Sequence, residues 1–228
     1  GDVMENKLKD KTTKAAFSKA VDLALKRIKK DPVEGMKDIT NIMDKYIMPK
    51  SSKENSAKHA LERIKKEFNN PSSKWSSFAE DIVNEIDDNV LKSFIMTVAY
   101  NAVYKGNSQR NELQRKYDCN IPWAILLDPT SACNLACKGC WAAEYGHKNN
   151  LTYEEMRDIV QQANEIGCYF FLMTGGEPLV RKDDIIKLAN EFNDSAFHLY
   201  TNRTLIDEEF CKEVAKACLL YTSPSPRD

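Results

Sequence analysis

Ile125-Leu126-Leu127-Asp128-Pro129-Thr130-Ser131-Ala132-Cys133-Asn134-Leu135-Ala136-Cys137-Lys138-Gly139-Cys140 is the stretch on which the reading of this chain turns. It opens as a short apolar run, Ala124 to Leu127, suited to a strand with both faces covered. It closes on three cysteines separated by three and two residues, with no fourth cysteine to complete the set. Three thiolates can hold three irons of a [4Fe–4S] cube and leave the fourth iron open. A structural metal site is normally closed, and an open coordination position is what catalysis needs.

Downstream, the pattern alternates. Leu151-Thr152-Tyr153-Glu154-Glu155 carries a capping box, Thr152 with Glu155 three residues on, and predicts a helix to about Ile166. Tyr169 to Met173 reads as a second strand, ending in Thr174-Gly175-Gly176-Glu177-Pro178. A helix over roughly 183–192, a third strand Ala196–Thr201 and a helix from Asp207 to about Ala217 complete the series. The order β-α-β-α-β-α predicts parallel strands with right-handed crossovers. In such sheets chemistry gathers at the carboxyl ends of the strands. The cysteine loop and the Gly-Gly-Glu-Pro stretch both fall there. The two glycines let the backbone turn sharply and approach a ligand closely, and Pro178 stiffens the exit.

Upstream, residues 12–117 read as helix. Phe17, Ala20, Val21, Ala24, Leu25 and Ile28 follow the i, i+3, i+4 spacing, and Asp31-Pro32 breaks and restarts it. Ile39, Ile42, Met43, Tyr46 and Ile47 form a second helix, Leu61, Ile64 and Phe68 a third, and Trp75, Phe78, Ile82, Val83 and Ile86 a fourth. Val90 to Ala99 form a fifth, ending by Gly106, and a polar helix over about 108–117 follows. The fold expected is therefore α/β over residues 119–217, preceded by an all-helical domain, 1–118, whose role no motif identifies.

Composition narrows the class. The net charge is −1 overall, with 23 Lys+Arg against 18 Asp+Glu in residues 1–118 and 10 against 16 in the remainder. That split reads as the solvated faces of two units, and no nucleic-acid partner is expected. No apolar run nears the roughly 18 residues of a membrane span, and no signal peptide opens the chain, so a cytoplasmic protein is expected. Seven cysteines in such a chain point to metal or catalysis over disulfides.

Cysteines at this spacing, with Gly-Gly-Glu-Pro after the next strand, resemble the radical S-adenosylmethionine (SAM) superfamily. The resemblance covers 121–217 and implies the first three β/α units of a partial (β/α)6 barrel. It implies a [4Fe–4S] cluster on Cys133, Cys137 and Cys140, with SAM chelating the open iron. Reductive cleavage of SAM by a one-electron donor such as flavodoxin or ferredoxin would then give a 5′-deoxyadenosyl radical for hydrogen abstraction from a substrate that the sequence does not name. It also implies that Gly175, Gly176, Glu177 and Pro178 form the SAM-amine loop, that Gly139 contacts adenine through its backbone, and that Thr201 and Asn202 face SAM or substrate.

The run from Asp128 to Leu135 is similar to the subgroup of molybdopterin-precursor enzymes and peptide maturases. Leu172 stands where those molybdopterin enzymes carry Arg, which argues against a GTP substrate. Thr201-Asn202-Arg203 stands where relatives read Thr-Asn-Gly, so a left-handed turn would be strained at Arg203. The alternative is a non-catalytic module, zinc- or iron–sulfur-binding, with His147 as a fourth ligand beside the three cysteines. The last eleven residues, Cys218 to Asp228, match no periodicity and read as the translation of a transposase end and a sequencing adapter. The chain is accordingly read as a fragment lacking the second half of its barrel, and inactive alone.

Overall fold

The computed structural model describes residues 2–42, 44–45, 62–63, 65–67, 70, 72–142, 146, 148–217 and 220–224. Leu61, Ile64 and Phe68 of the expected third helix, and Met43, Tyr46 and Ile47 at the end of the second, lie outside the described residues. The chain forms two compact units, Gly1–Tyr100 and Asn101–Asp228.

The first unit is helical. α1 (Asp2–Ile28) and α2 (Pro32–Ile42) are separated by the Asp31-Pro32 break, where Asp31 Oδ1 accepts the Glu34 N–H at 3.1 Å. Pro32 sits at the helix start, where its missing N–H has no intrahelical partner to lose. A Cβ on Gly35 would meet Ile28 Cγ1 at 2.3 Å, so glycine is what lets α2 close against α1. α3 (Lys74–Glu85) is capped by Ser73 and α4 (Asp88–Phe94) by Asp87, each side chain accepting first-turn N–H groups. Phe17, Val21, Leu25 and Ile28 line one stripe of α1 and bury against Met36, Val83, Leu91 and Tyr100.

Past α4 the helix continues without a break. Ile95–Lys105 is wound as a π-helix and runs directly into α5 (Gly106–Tyr117). The sequence reading ended the fifth helix at Gly106, and the structure corrects this. A Cβ at residue 106 would meet the Gly167 carbonyl oxygen at 2.5 Å, so this glycine serves close packing within the second unit rather than a helix stop. Arg110, on α5, is buried and donates from Nη1 to the Gly167 carbonyl at 2.5 Å and to the Ala102 carbonyl at 3.2 Å. Tyr169 donates from its hydroxyl to Gln109 at 3.0 Å. These bonds make the 106–117 helix, read from sequence with the helical domain, part of the second unit.

That unit is a parallel sheet with helices between its strands. β1 (Ile125–Thr130), β2 (Phe170–Gly175) and β3 (Ala196–Thr201) lie in chain order, joined by α6 (Tyr153–Glu165), α7 (Lys182–Glu191) and, after β3, α8 (Glu208–Ala217). The expected alternation and parallel pairing are both present. A doubly wound sheet reverses its strand order partway, and this one does not, an order compatible with part of a barrel wall. The expected capping box is formed: Glu155 N–H donates to Thr152 Oγ1 at 3.1 Å, and Thr152 N–H donates to Glu155 Oε2 at 2.7 Å.

The structure adds a fourth parallel strand, β4 (Leu220–Pro224), paired with β3 from Phe197↔Leu220 to Thr201↔Pro224. Its backbone covers the row of N–H and C=O groups that β3 would otherwise expose. The sequence reading sets residues 218–228 apart as the translation of an adapter and so expects no strand there.

One face of the sheet is covered. Leu127, Phe171, Met173, Phe197 and Leu199 bury against Met156, Val160, Ile185, Leu188 and Phe210 of the helices. Period-two alternation sends Leu126, Leu172, His198 and Tyr200 to the other face, where Leu126 is 61% and Tyr200 47% exposed. Leu126, Leu172 and His198 share one register row. No described helix is long and apolar enough to cross a membrane.

Replacing Arg110 by Met keeps its bulk and strands two buried carbonyls. We expect Arg110→Met to lose about 1–3 kcal/mol of stability, read as a lower urea midpoint with the far-ultraviolet circular dichroism unchanged.

Candidate cluster and cofactor site

The cysteine loop begins where β1 ends, and its base is closed. Ser131 N–H donates to the Asn149 carbonyl at 2.7 Å and Leu151 N–H to the Pro129 carbonyl at 3.1 Å. Thr130 and Asn150 form an antiparallel bridge, reinforced by a hydrogen bond from the Thr130 hydroxyl to Asn150 Oδ1. Asn149 N–H donates to Ser131 Oγ at 3.1 Å. Both ends of the loop are thus pinned at the carboxyl edge of the sheet.

Within it, Cys140 N–H donates to the Cys137 carbonyl at 3.2 Å, and Gly139 has φ +76°. That is a four-residue turn whose third position needs positive φ, the requirement glycine meets without strain. The turn folds the second and third cysteines into one tight corner. A Cβ at Gly139 would meet nothing within 4 Å, so the corner faces open space. Cys133, Cys137 and Cys140 are half-buried and none is in a disulfide. Among the described residues no three His, Cys, Asp or Glu side chains are already converged as a ligand set. His147 lies outside the described residues.

The Gly-Gly-Glu-Pro stretch is fastened to the start of this loop. Gly176 N–H donates to the Thr130 carbonyl and Glu177 N–H to the Ala132 carbonyl, both at 2.9 Å. Gly175 has φ +98°, and a Cβ there would lie 2.6 Å from Thr130 O. At Gly176 the approach is closer, 2.2 Å from Ala132 O. Neither position has room for a side chain. Pro178 is buried at the start of a single 3-10 turn, Pro178–Arg181.

Glu177 is 1% exposed. Its Oε1 accepts the Leu179 N–H at 3.0 Å and the Thr201 hydroxyl at 2.6 Å, and its Oε2 accepts the Asn202 N–H at 2.7 Å. One carboxylate therefore ties the end of β2 to the end of β3. The Thr201 hydroxyl also accepts the Arg203 N–H at 3.0 Å. Its hydroxyl is committed to the turn. Asn202 reaches the cysteine loop instead: its Nδ2 donates to Asn134 Oδ1 at 2.9 Å and approaches Cys133 Sγ at 4.0 Å. Thr204 closes the set, donating from its hydroxyl to Asn202 Oδ1 and accepting from Asn134 Nδ2, each at 2.7 Å. Arg203 adopts φ +64°, the left-handed conformation anticipated for that position.

The donor set and its surroundings suit an iron–sulfur cube. Three thiols on one short loop supply the soft ligands, the Gly139 corner leaves clear space, and the Gly175-Gly176 backbone lies directly against the residues that lead into the loop. The loop base at 129–131 and 149–151 and the Asn134–Thr204 contact were not anticipated from sequence. Paired asparagines at 149–150 are a turn signal, but nothing local says what they pair with.

Residues 127–225 match the family model of the Radical SAM superfamily. Members of this superfamily use a [4Fe–4S] cluster and SAM. The chain is 32% identical over 105 residues to the Fe-coproporphyrin III synthase of Methanosarcina barkeri, covering 44% of this chain and 26% of that protein. It is 32% identical over 109 residues to the PqqA peptide cyclase of Bradyrhizobium diazoefficiens, with 46% and 28% covered. It is 32% identical over 101 residues to a GTP 3′,8-cyclase of Clostridium botulinum, with 42% and 32% covered. The matched region thus spans about a quarter to a third of the length of these curated relatives. No solved structure matches the chain.

Glu177→Gln keeps the shape but turns an amide donor toward either the Thr201 hydroxyl or the Asn202 N–H. We expect a loss of about 1–3 kcal/mol in denaturant unfolding. Arg203→Gly removes the penalty of a left-handed non-glycine residue, which is about 1–2 kcal/mol before the entropy of glycine is subtracted. A melting temperature raised by a few degrees is the outcome to look for, and a lowered one would show that the turn does not carry strain.

Proposed function

We propose that this chain, which carries a radical SAM domain, holds a [4Fe–4S] cluster on Cys133, Cys137 and Cys140 and seats SAM against Gly175, Gly176, Glu177 and Pro178. When bound, the cluster and SAM supply reductive cleavage to a 5′-deoxyadenosyl radical for hydrogen abstraction. The observation that carries this reading is the direct bonding of the Gly176 and Glu177 N–H groups to Thr130 and Ala132, which joins a cofactor loop to a thiol loop.

The chain's own residues would divide the work. The corner at Gly139 presents Cys137 and Cys140 together and leaves its backbone open toward an adenine ring. Gly176 spends its N–H on Thr130, so its carbonyl is the group left to accept from the SAM amine. Glu177 acts through others: its carboxylate fixes the loop from below, with both oxygens already accepting hydrogen bonds. Thr201 is spent in the same way, so a contact between Asn202 and cofactor or substrate would use what its links to Asn134 and Thr204 leave free. A one-electron donor such as flavodoxin or ferredoxin is required, and thiol-ligated iron needs a reducing compartment, which supports a cytoplasmic location.

Substrate contacts would come from the face carrying Leu126, Leu172, His198 and Tyr200. Burial holds the His198 imidazole below its ordinary pKa, so it is neutral at pH 7. Among these residues none is a cation, which supports the reading against a triphosphate such as GTP. With Leu126 and Tyr200 open to solvent, a radical made here would be poorly shielded. We therefore expect SAM cleavage by this chain alone to be slow.

Anaerobic reconstitution tests the reading. About four irons per chain, a cluster spectrum that shifts on adding SAM, and loss of iron in Cys133→Ala, Cys137→Ala and Cys140→Ala are expected. One tightly bound zinc, with no iron–sulfur spectrum, would replace the proposal with the zinc-module alternative. Rapid multiple-turnover release of 5′-deoxyadenosine would refute the expectation of slow turnover.

A further inference from the structure

The superfamily reading assigns the thiols and the SAM loop and turns Asn202 toward cofactor or substrate, but it gives no role to the bonds that join Asn202 to Asn134 and Thr204. These three side chains, from the cysteine loop and from the turn after β3, bond one another at 2.7–2.9 Å. Asn202 is held at both ends of the residue, its backbone N–H on Glu177 and its amide on Asn134. Its amide nitrogen also approaches a cluster thiol, 4.0 Å from Cys133 Sγ. Leu135 N–H, two residues along the loop, donates to the same sulfur at 3.4 Å.

We infer that Asn202 is a positioning residue that docks the cysteine loop onto β3 and donates a hydrogen bond to the Cys133 sulfur. The inference rests on the cluster reading for its second half, while the docking is a property of the chain itself. Upstream of Cys133 the loop is held at Ala132, whose carbonyl accepts the Glu177 N–H. The Asn134–Asn202–Thr204 set adds a second anchor one residue beyond Cys133, so the first thiol is fixed by the turn after β3 and the other two by the Gly139 corner. A donor aimed at a ligating sulfur draws off negative charge and stabilises the reduced cluster, which is one of the levers that sets an iron–sulfur potential. Because Asn202 is also bonded to Glu177, the same residue links that sulfur to the loop assigned to SAM.

The test compares the wild-type chain with Asn202→Ala, Asn134→Ala and Thr204→Val, with Thr204→Ser as the variant that keeps the hydroxyl. In the metal-free chain, hydrogen exchange of a peptide spanning residues 131–142 should be several-fold faster in the first three and unchanged in Thr204→Ser. In the reconstituted chain, a redox titration followed by electron paramagnetic resonance should give a more negative midpoint potential for Asn202→Ala at equal iron content. Wild-type exchange in metal-free Asn202→Ala overturns the docking. An unchanged potential in a fully loaded Asn202→Ala overturns the bond to sulfur. Failure of the wild-type chain to take up four irons would instead count against the cluster reading, and the exchange experiment would still decide the docking.

Discussion

A carboxylate with almost no exposure is the constraint around which this site is arranged. Removing a charged oxygen pair from water is costly unless donors replace the lost hydration, and Glu177 is supplied with three: the Leu179 N–H, the Thr201 hydroxyl and the Asn202 N–H. Each comes from a different structural purpose. Leu179 starts the turn out of the glycine loop, Thr201 ends β3, and Asn202 faces the cysteines. The donors also dictate backbone paths, since two of them are main-chain groups that must point inward. The turn after β3 is forced tight enough to place Arg203 in the left-handed region.

Glycine supplies the complementary constraint. Where Glu177 draws segments together by attraction, Gly175 and Gly176 permit an approach that any side chain would block. The carbonyls of Thr130 and Ala132 occupy the space where their Cβ atoms would stand. The same device recurs at Gly106 and Gly167, each of which packs against the other's carbonyl oxygen. In both places the main chain packs on main chain, so the geometry depends little on side-chain rotamers.

Much of this was legible in the chain itself. The strand–loop–helix alternation, the capping box at Thr152 and Glu155, the limits of β3 and the strained residue at Arg203 could be read because each depends on near neighbours in sequence. The likeness of the second unit to the Radical SAM superfamily could be read because the thiol triplet and Gly-Gly-Glu-Pro each sit within a few residues of sequence. What escaped was nonlocal. Gly106 looked like a helix terminus because its reason for being glycine lies at residue 167. The 108–117 helix looked like a continuation of the helical unit because its tie, through Arg110 and Gln109, is to residues some sixty positions on. Thr201 looked free for a ligand because its partner, Glu177, sits in the loop that follows another strand. Periodicity reports burial along an element and says nothing about which other element does the burying.

The strand order has a further consequence. β1, β2 and β3 are neighbours in the same order in which they occur along the chain. Every bond described among the cysteine loop, the glycine loop and the turn after β3 lies between Pro129 and Thr204. Contacts confined to so short a window close cheaply and early. A ribosome that has released residue 204 has released all the parts of the thiol-bearing nest. The pocket for the metal could therefore mature on the nascent chain, ahead of whatever the ribosome adds next.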